Sequence, residues 1–83
     1  MVSGIVTVIT EAFTRVVGEP PSRGAETTPE DVGSWGSLAH VQLVFEIERA
    51  LGIRMSESVL TNRTTVGALI EAAETAQAAQ RAA

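Results

Sequence analysis

Cysteine is absent from these 83 residues, which removes disulfides, thiolate metal sites and thiol nucleophiles together. Lysine is absent too. All six basic side chains are arginines, none of them clustered, against ten acidic ones, for a formal charge of −4. That balance excludes the phosphate-neutralising surface on which nucleic-acid affinity depends, and an acidic surface favours partners that present basic patches. Aromatics make up only 4% of the residues while 45% are hydrophobic, so a core has to be built from Val, Ile, Leu and Ala, a composition suited to closely packed helices. No apolar run approaches the roughly 20 residues that span a bilayer. The opening from Met1 to Thr10 lacks a basic stretch and runs into Glu11, so it does not read as a secretory leader. The expectation is one small domain over residues 1–83, cytoplasmic, with neither membrane nor nucleic acid as partner.

What is present is helical periodicity. Val2, Ile5, Val6, Ile9, Ala12, Phe13, Val16 and Val17 recur at helical spacing, and the period persists for four turns until Gly18. A strand competes locally, because Val6-Thr7-Val8-Ile9 is rich in β-branched residues. Pro20 and Pro21 then end the element. Residues 18–36 read as a long loop rich in Pro, Gly, Ser and Thr, with Val32 and Trp35 as apolar anchors; loops this long in small domains are often functional. A second helix is predicted from Ser37 to Leu51, stopped by Gly52, and a short turn from Ser56 to Leu60. Thr64 or Thr65 caps a last helix with Val66, Leu69, Ile70 and Ala73 on its apolar face. The Ala/Glu/Gln-rich tail from Glu71 favours helix with little to pack beyond Ala73, and is expected to fray from about residue 76.

The middle helix carries two apolar stripes. At about 100° per residue, Leu43, Val44, Ile47 and Leu51 fall in one arc of roughly 100°, wide enough for a core face. Leu38, Val41 and Phe45 fall in a separate arc, next to Ser37. That second stripe is either a wider core or an exposed docking surface with Gln42, Glu46 and Arg49 as its polar rim. Ser37 itself stands where a helix start exposes side chains and leaves backbone N–H groups without partners. A phosphate on that serine faces free donors and the positive end of the helix dipole. This reads as an attachment point rather than a catalytic site.

Three features in register resemble an acyl carrier protein, over nearly the whole chain: Ser37-Leu38 opening the middle helix, the run from Val41 to Ile53 with its Gly-Ile ending, and Thr64-Thr65-Val66 at the start of the last helix. The resemblance implies an all-α bundle of three main helices and a short third one. It implies 4′-phosphopantetheine on Ser37, taken from coenzyme A by a phosphopantetheinyl transferase, with acyl groups held as thioesters and presented to acyl-loading and acyl-processing enzymes. It implies no catalysis by the carrier and an aliphatic interior that shelters the cargo. Docking would use Leu38, Val41 and Phe45 with Glu46, Glu48 and Glu57 as acidic contacts, and the carrier would be a monomer. The Trp35-Gly36-Ser37-Leu38-Ala39-His40 wording is similar to small free-standing carriers of polyketide and related specialised pathways; an aminoacyl or peptidyl carrier is the alternative.

Two departures stand out. Gly36 occupies the position where the resemblance implies an aspartate that helps engage the transferase. A natural variant that is still modified, an engineered substitution and a carrier-like interaction domain that is not modified are the three accounts. As a cap, glycine in place of aspartate costs only about a few tenths of a kcal/mol. Gln42 and Arg49 also stand where acids are common, which points to particular partners rather than a general fatty-acid synthase. Other chemistry finds no support. His40 lies one turn after Ser37, but the only aspartate is Asp31 in the loop, so a structural histidine is the better reading than a hydrolytic pair. Glu46 and Glu48 do not share a helix face, no metal-ligand spacing occurs, and Gly33-Ser34-Trp35-Gly36 is not a phosphate loop.

Overall fold

A computed structural model describes residues 3–61 and 65–82. Four α-helices follow one another: α1 (Ser3–Val17), α2 (Ser37–Leu51), the short α3 (Glu57–Thr61) and α4 (Val66–Ala82), with a single 3₁₀ turn, Gly24–Glu26, in the long first connection. No strand occurs among the described residues, so the helical period of α1 prevails over its β-branched content, as amphipathic packing routinely overrides propensity. Val2, Thr64 and Ala83, assigned above to helix, cap and tail, lie outside the described residues.

The core is aliphatic around one aromatic pair. Ile9, Ala12 and Phe13 of α1 meet Leu43, Val44 and Ile47 of α2 and Val66, Leu69 and Ala73 of α4, all buried. α1 packs on both long partners, and α3 lies against α2. Phe13 and Trp35 meet edge to face with ring centroids 5.1 Å apart, a favoured aromatic geometry. Val6, one of the apolar residues recurring at helical spacing in α1, is exposed.

The long connection is fastened rather than free. Trp35, Val32 and Thr27 are buried. The Arg23 N–H donates to Thr27 Oγ1 at 2.8 Å, and the Val66 N–H, an orphan donor of the first turn of α4, donates to the Thr27 carbonyl at 3.1 Å. Asp31 closes the loop on itself, accepting from the Thr28 N–H and hydroxyl and from Arg23. Gly67 lets this loop approach α4, because a Cβ there would stand 3.0 Å from the Ala25 carbonyl oxygen.

Two sequence expectations need correction. The short helix runs Glu57–Thr61 rather than from Ser56. The tail beyond Ala73 does have packing partners: Ala76 is half-buried against the core. Gln80 also clamps the loop after α2, accepting from the Arg54 N–H at 3.0 Å and donating to the Arg54 carbonyl at 2.7 Å. The fixing residues lie far from Gln80 in sequence, so local composition carried no sign of them.

Candidate functional site

Ser37 opens α2, and Gly36 before it is extended (φ −86°, ψ −175°) with no side chain capping the helix. The first helical bond runs from the His40 N–H to the Gly36 carbonyl at 2.9 Å. The start of α4 differs, since Thr65 Oγ1 accepts from the Ala68 N–H at 3.0 Å and Thr27 supplies a carbonyl for Val66. α4 is therefore capped twice and α2 is left open at the exposed Ser37. Nothing lies within 4 Å of a Cβ built on Gly36, so neither space nor backbone conformation demands glycine here. An exposed hydroxyl at an open, electropositive helix start fits a phosphodiester, whose oxygens such N–H groups solvate.

Behind this turn stands a buried polar strut. His40 is 1% exposed; its Nδ1 lies 3.2 Å from Trp35 Nε1 and its Nε2 lies 2.6 Å from the Val59 carbonyl oxygen. Indole N–H only donates, so Nδ1 accepts, and Nε2 carries the proton and donates to Val59. His40 thus ties loop, α2 and α3 together one turn from Ser37. It is the structural histidine expected from the sequence, and the tie to α3 is what the sequence did not disclose.

The second stripe of α2 is exposed where it matters most. Leu38 is 72% and Phe45 56% exposed, which excludes the wider-core alternative for both, while Val41 is half-buried. The expected acidic contacts divide. Glu46 is held between Arg15 of α1, at 3.2 Å, and Arg49 one turn on. The hydrogen bond from Arg15 and the nearby charge of Arg49 hold its carboxyl below the usual range. Glu48 Oε2 accepts from the Met55 N–H at 2.7 Å after Gly52, in the left-handed conformation (φ 66°, ψ 37°), has turned the chain out of α2. Glu57 is exposed at the start of α3. Two of the three carboxylates are thus already engaged inside the molecule.

Residues 7–73 match the family described as the phosphopantetheine attachment site. The chain belongs to that family. Its members carry covalently attached 4′-phosphopantetheine, and their carrier domains work with modifying transferases and biosynthetic enzymes and are generally non-catalytic. No curated protein and no solved structure gives a significant match to the chain. No group of three or more potential metal-ligating side chains occurs among the described residues, and none of their helices is long and apolar enough to cross a membrane.

Proposed function

We propose that Ser37 bears the 4′-phosphopantetheine and that this chain is a non-catalytic acyl carrier presenting thioester-bound intermediates to enzymes of a polyketide or related specialised pathway. The observation that carries this reading is the open start of α2, with an exposed serine and no side-chain cap. When bound, the arm supplies the thiol that holds acyl groups. The chain's own contribution is placement. Ser37 Oγ is the point of attachment, the first-turn N–H groups and the helix dipole solvate the phosphate, and the His40 strut fixes α3 beside the turn. Leu38, Val41 and Phe45 form the apolar docking surface, with Glu57 as its exposed carboxylate. Acyl rather than aminoacyl cargo is favoured by the Trp35-Gly36-Ser37-Leu38-Ala39-His40 wording.

The test is the intact mass after incubation with a broad-specificity phosphopantetheinyl transferase and coenzyme A. The wild type is expected to gain one phosphopantetheine and Ser37→Ala none. Equal gain in both places the arm elsewhere, and no gain in the folded wild type with several transferases supports an unmodified interaction domain.

A further inference from the structure

Arg49 shares the exposed stripe of α2 with Leu38, Gln42 and Phe45. At about 100° per residue these four fall within an arc of about 60°. The Arg49 side chain is 78% exposed, so the stripe that begins as isobutyl and phenyl groups ends one turn later in a guanidinium. Glu46 stands to one side of it, 28% exposed, and serves two cations at once, Arg49 and the 58% exposed Arg15 of α1. Two positive charges against one negative leave a local surplus of +1 in this triad. Glu48, on the other flank, is committed to the Met55 N–H. Glu11 lies one turn before Arg15 on α1.

Arg49 reaches Glu46 through Nη2, whereas a guanidinium has five N–H donors in a planar fork suited to a second, bidentate carboxylate. An exposed pair of this kind holds weakly and exchanges readily. The geometry points to a protein partner whose apolar pocket takes Leu38 and Phe45 and whose rim carries an aspartate or glutamate that pairs with Arg49. This deepens the carrier reading, on which it rests for the position of the stripe beside Ser37, and it reverses the polarity that the net charge alone suggests. The charge of −4 acts at long range, but beyond a Debye length of about 8 Å it is largely screened at physiological salt. Arg49 therefore sets orientation and lifetime in the docked complex rather than the rate of encounter. An anionic membrane, the other surface to which an arginine with apolar neighbours is suited, is distinguished by the vesicle arm of the experiment.

Two synthetic amphipathic helical peptides with one Leu/Phe face, one rimmed by glutamate and one by lysine, are titrated into the ¹⁵N-labelled protein at physiological salt. The glutamate-rimmed peptide is expected to shift the amides of Leu38, Phe45 and Arg49 saturably and to bind more tightly than the lysine-rimmed one. Arg49→Glu should weaken it by about two- to fivefold, the size of an exposed ion pair, and Arg49→Gln should weaken it less, with circular dichroism confirming that both variants fold. Equal or tighter binding of the lysine-rimmed peptide overturns the proposal, as does an Arg49→Glu variant that binds normally. So does the absence of saturable shifts at Leu38 and Phe45 with either peptide, or their appearance with phosphatidylglycerol vesicles instead. Transferase-dependent mass gain on the same samples reports separately on Ser37. Failure there with the peptide result intact would remove the carrier reading and leave the docking polarity standing.

Discussion

Gly36 is the residue at which structure and recognition part company. Its backbone is ordinary, its Cβ position is open, and an aspartate there could cap the N–H groups that Gly36 leaves bare. Gly36→Asp should therefore change stability by less than about 1 kcal/mol, the scale of an exposed cap, while speeding modification of Ser37 by a transferase. Unchanged loading kinetics would show that this chain's transferase makes no use of the carboxylate. The place of Ser37 at the start of α2 was legible because a helix start is written locally, in a loop that ends and a period that begins. The engagement of Glu46 was not, because Arg15 lies 31 residues away and meets it only once α1 and α2 have packed. The bond that Glu48 makes was hidden for a related reason. A glutamate on an amphipathic helix reads as solvated, and its bond to the Met55 N–H depends on the left-handed turn at Gly52.

Among the elements, α2 was read to the residue, Ser37 to Leu51; spacing left its second stripe open, and the structure buries Leu43, Val44 and Ile47, exposes Leu38 and Phe45, and leaves Leu51 and Val41 half-buried. The short α3 was harder. Five residues carry too little periodicity to define a face, and its place depends on Val59 and Leu60 packing against the core and on the bond between His40 and the Val59 carbonyl. His40→Leu would leave the Trp35 indole N–H and the Val59 carbonyl without these partners. At about 1–3 kcal/mol for each group that loses such a bond, the loss should be about 2–6 kcal/mol. His40→Gln offers an acceptor and a donor on one amide, and should recover part of that loss. Denaturant unfolding followed by Trp35 fluorescence measures both. If the leucine variant is as stable as the wild type, the strut does not hold α3. Val41→Ala is the companion on the stripe: half-buried and beside the exposed pair, it should lose under about 1 kcal/mol while slowing acyl transfer by partner enzymes. A larger loss of stability with transfer unchanged would assign Val41 to the core.

At the scale of the whole molecule, a small aliphatic core is supplemented by side chains that fasten loops, and several of these fasteners are ionised. Asp31 is the clearest. The Thr28 N–H, the Thr28 hydroxyl and the charge of Arg23 together hold its carboxyl below the ordinary value, with the backbone bond the largest influence; Glu46 is lowered in the same direction by Arg15 and Arg49. A carboxylate with a depressed folded-state pKa contributes stability that is fully present above its unfolded value, about 4, and is lost as the pH falls through the folded value below it. The molecule should therefore weaken in acid, beginning near pH 4, although its acidic surplus repels itself less as carboxylates are protonated. Asp31→Asn separates these two effects, since it removes the titrating clamp and changes the net charge by only one. At neutral pH the variant should unfold at lower denaturant than the wild type, and the gap should narrow steadily as the pH falls below about 4 and the wild-type clamp is protonated. Equal midpoints at neutral pH would show that the clamp is an ornament of the loop. A gap that stays constant into acid would assign the lost stability to packing around Thr28 rather than to the ionised carboxylate.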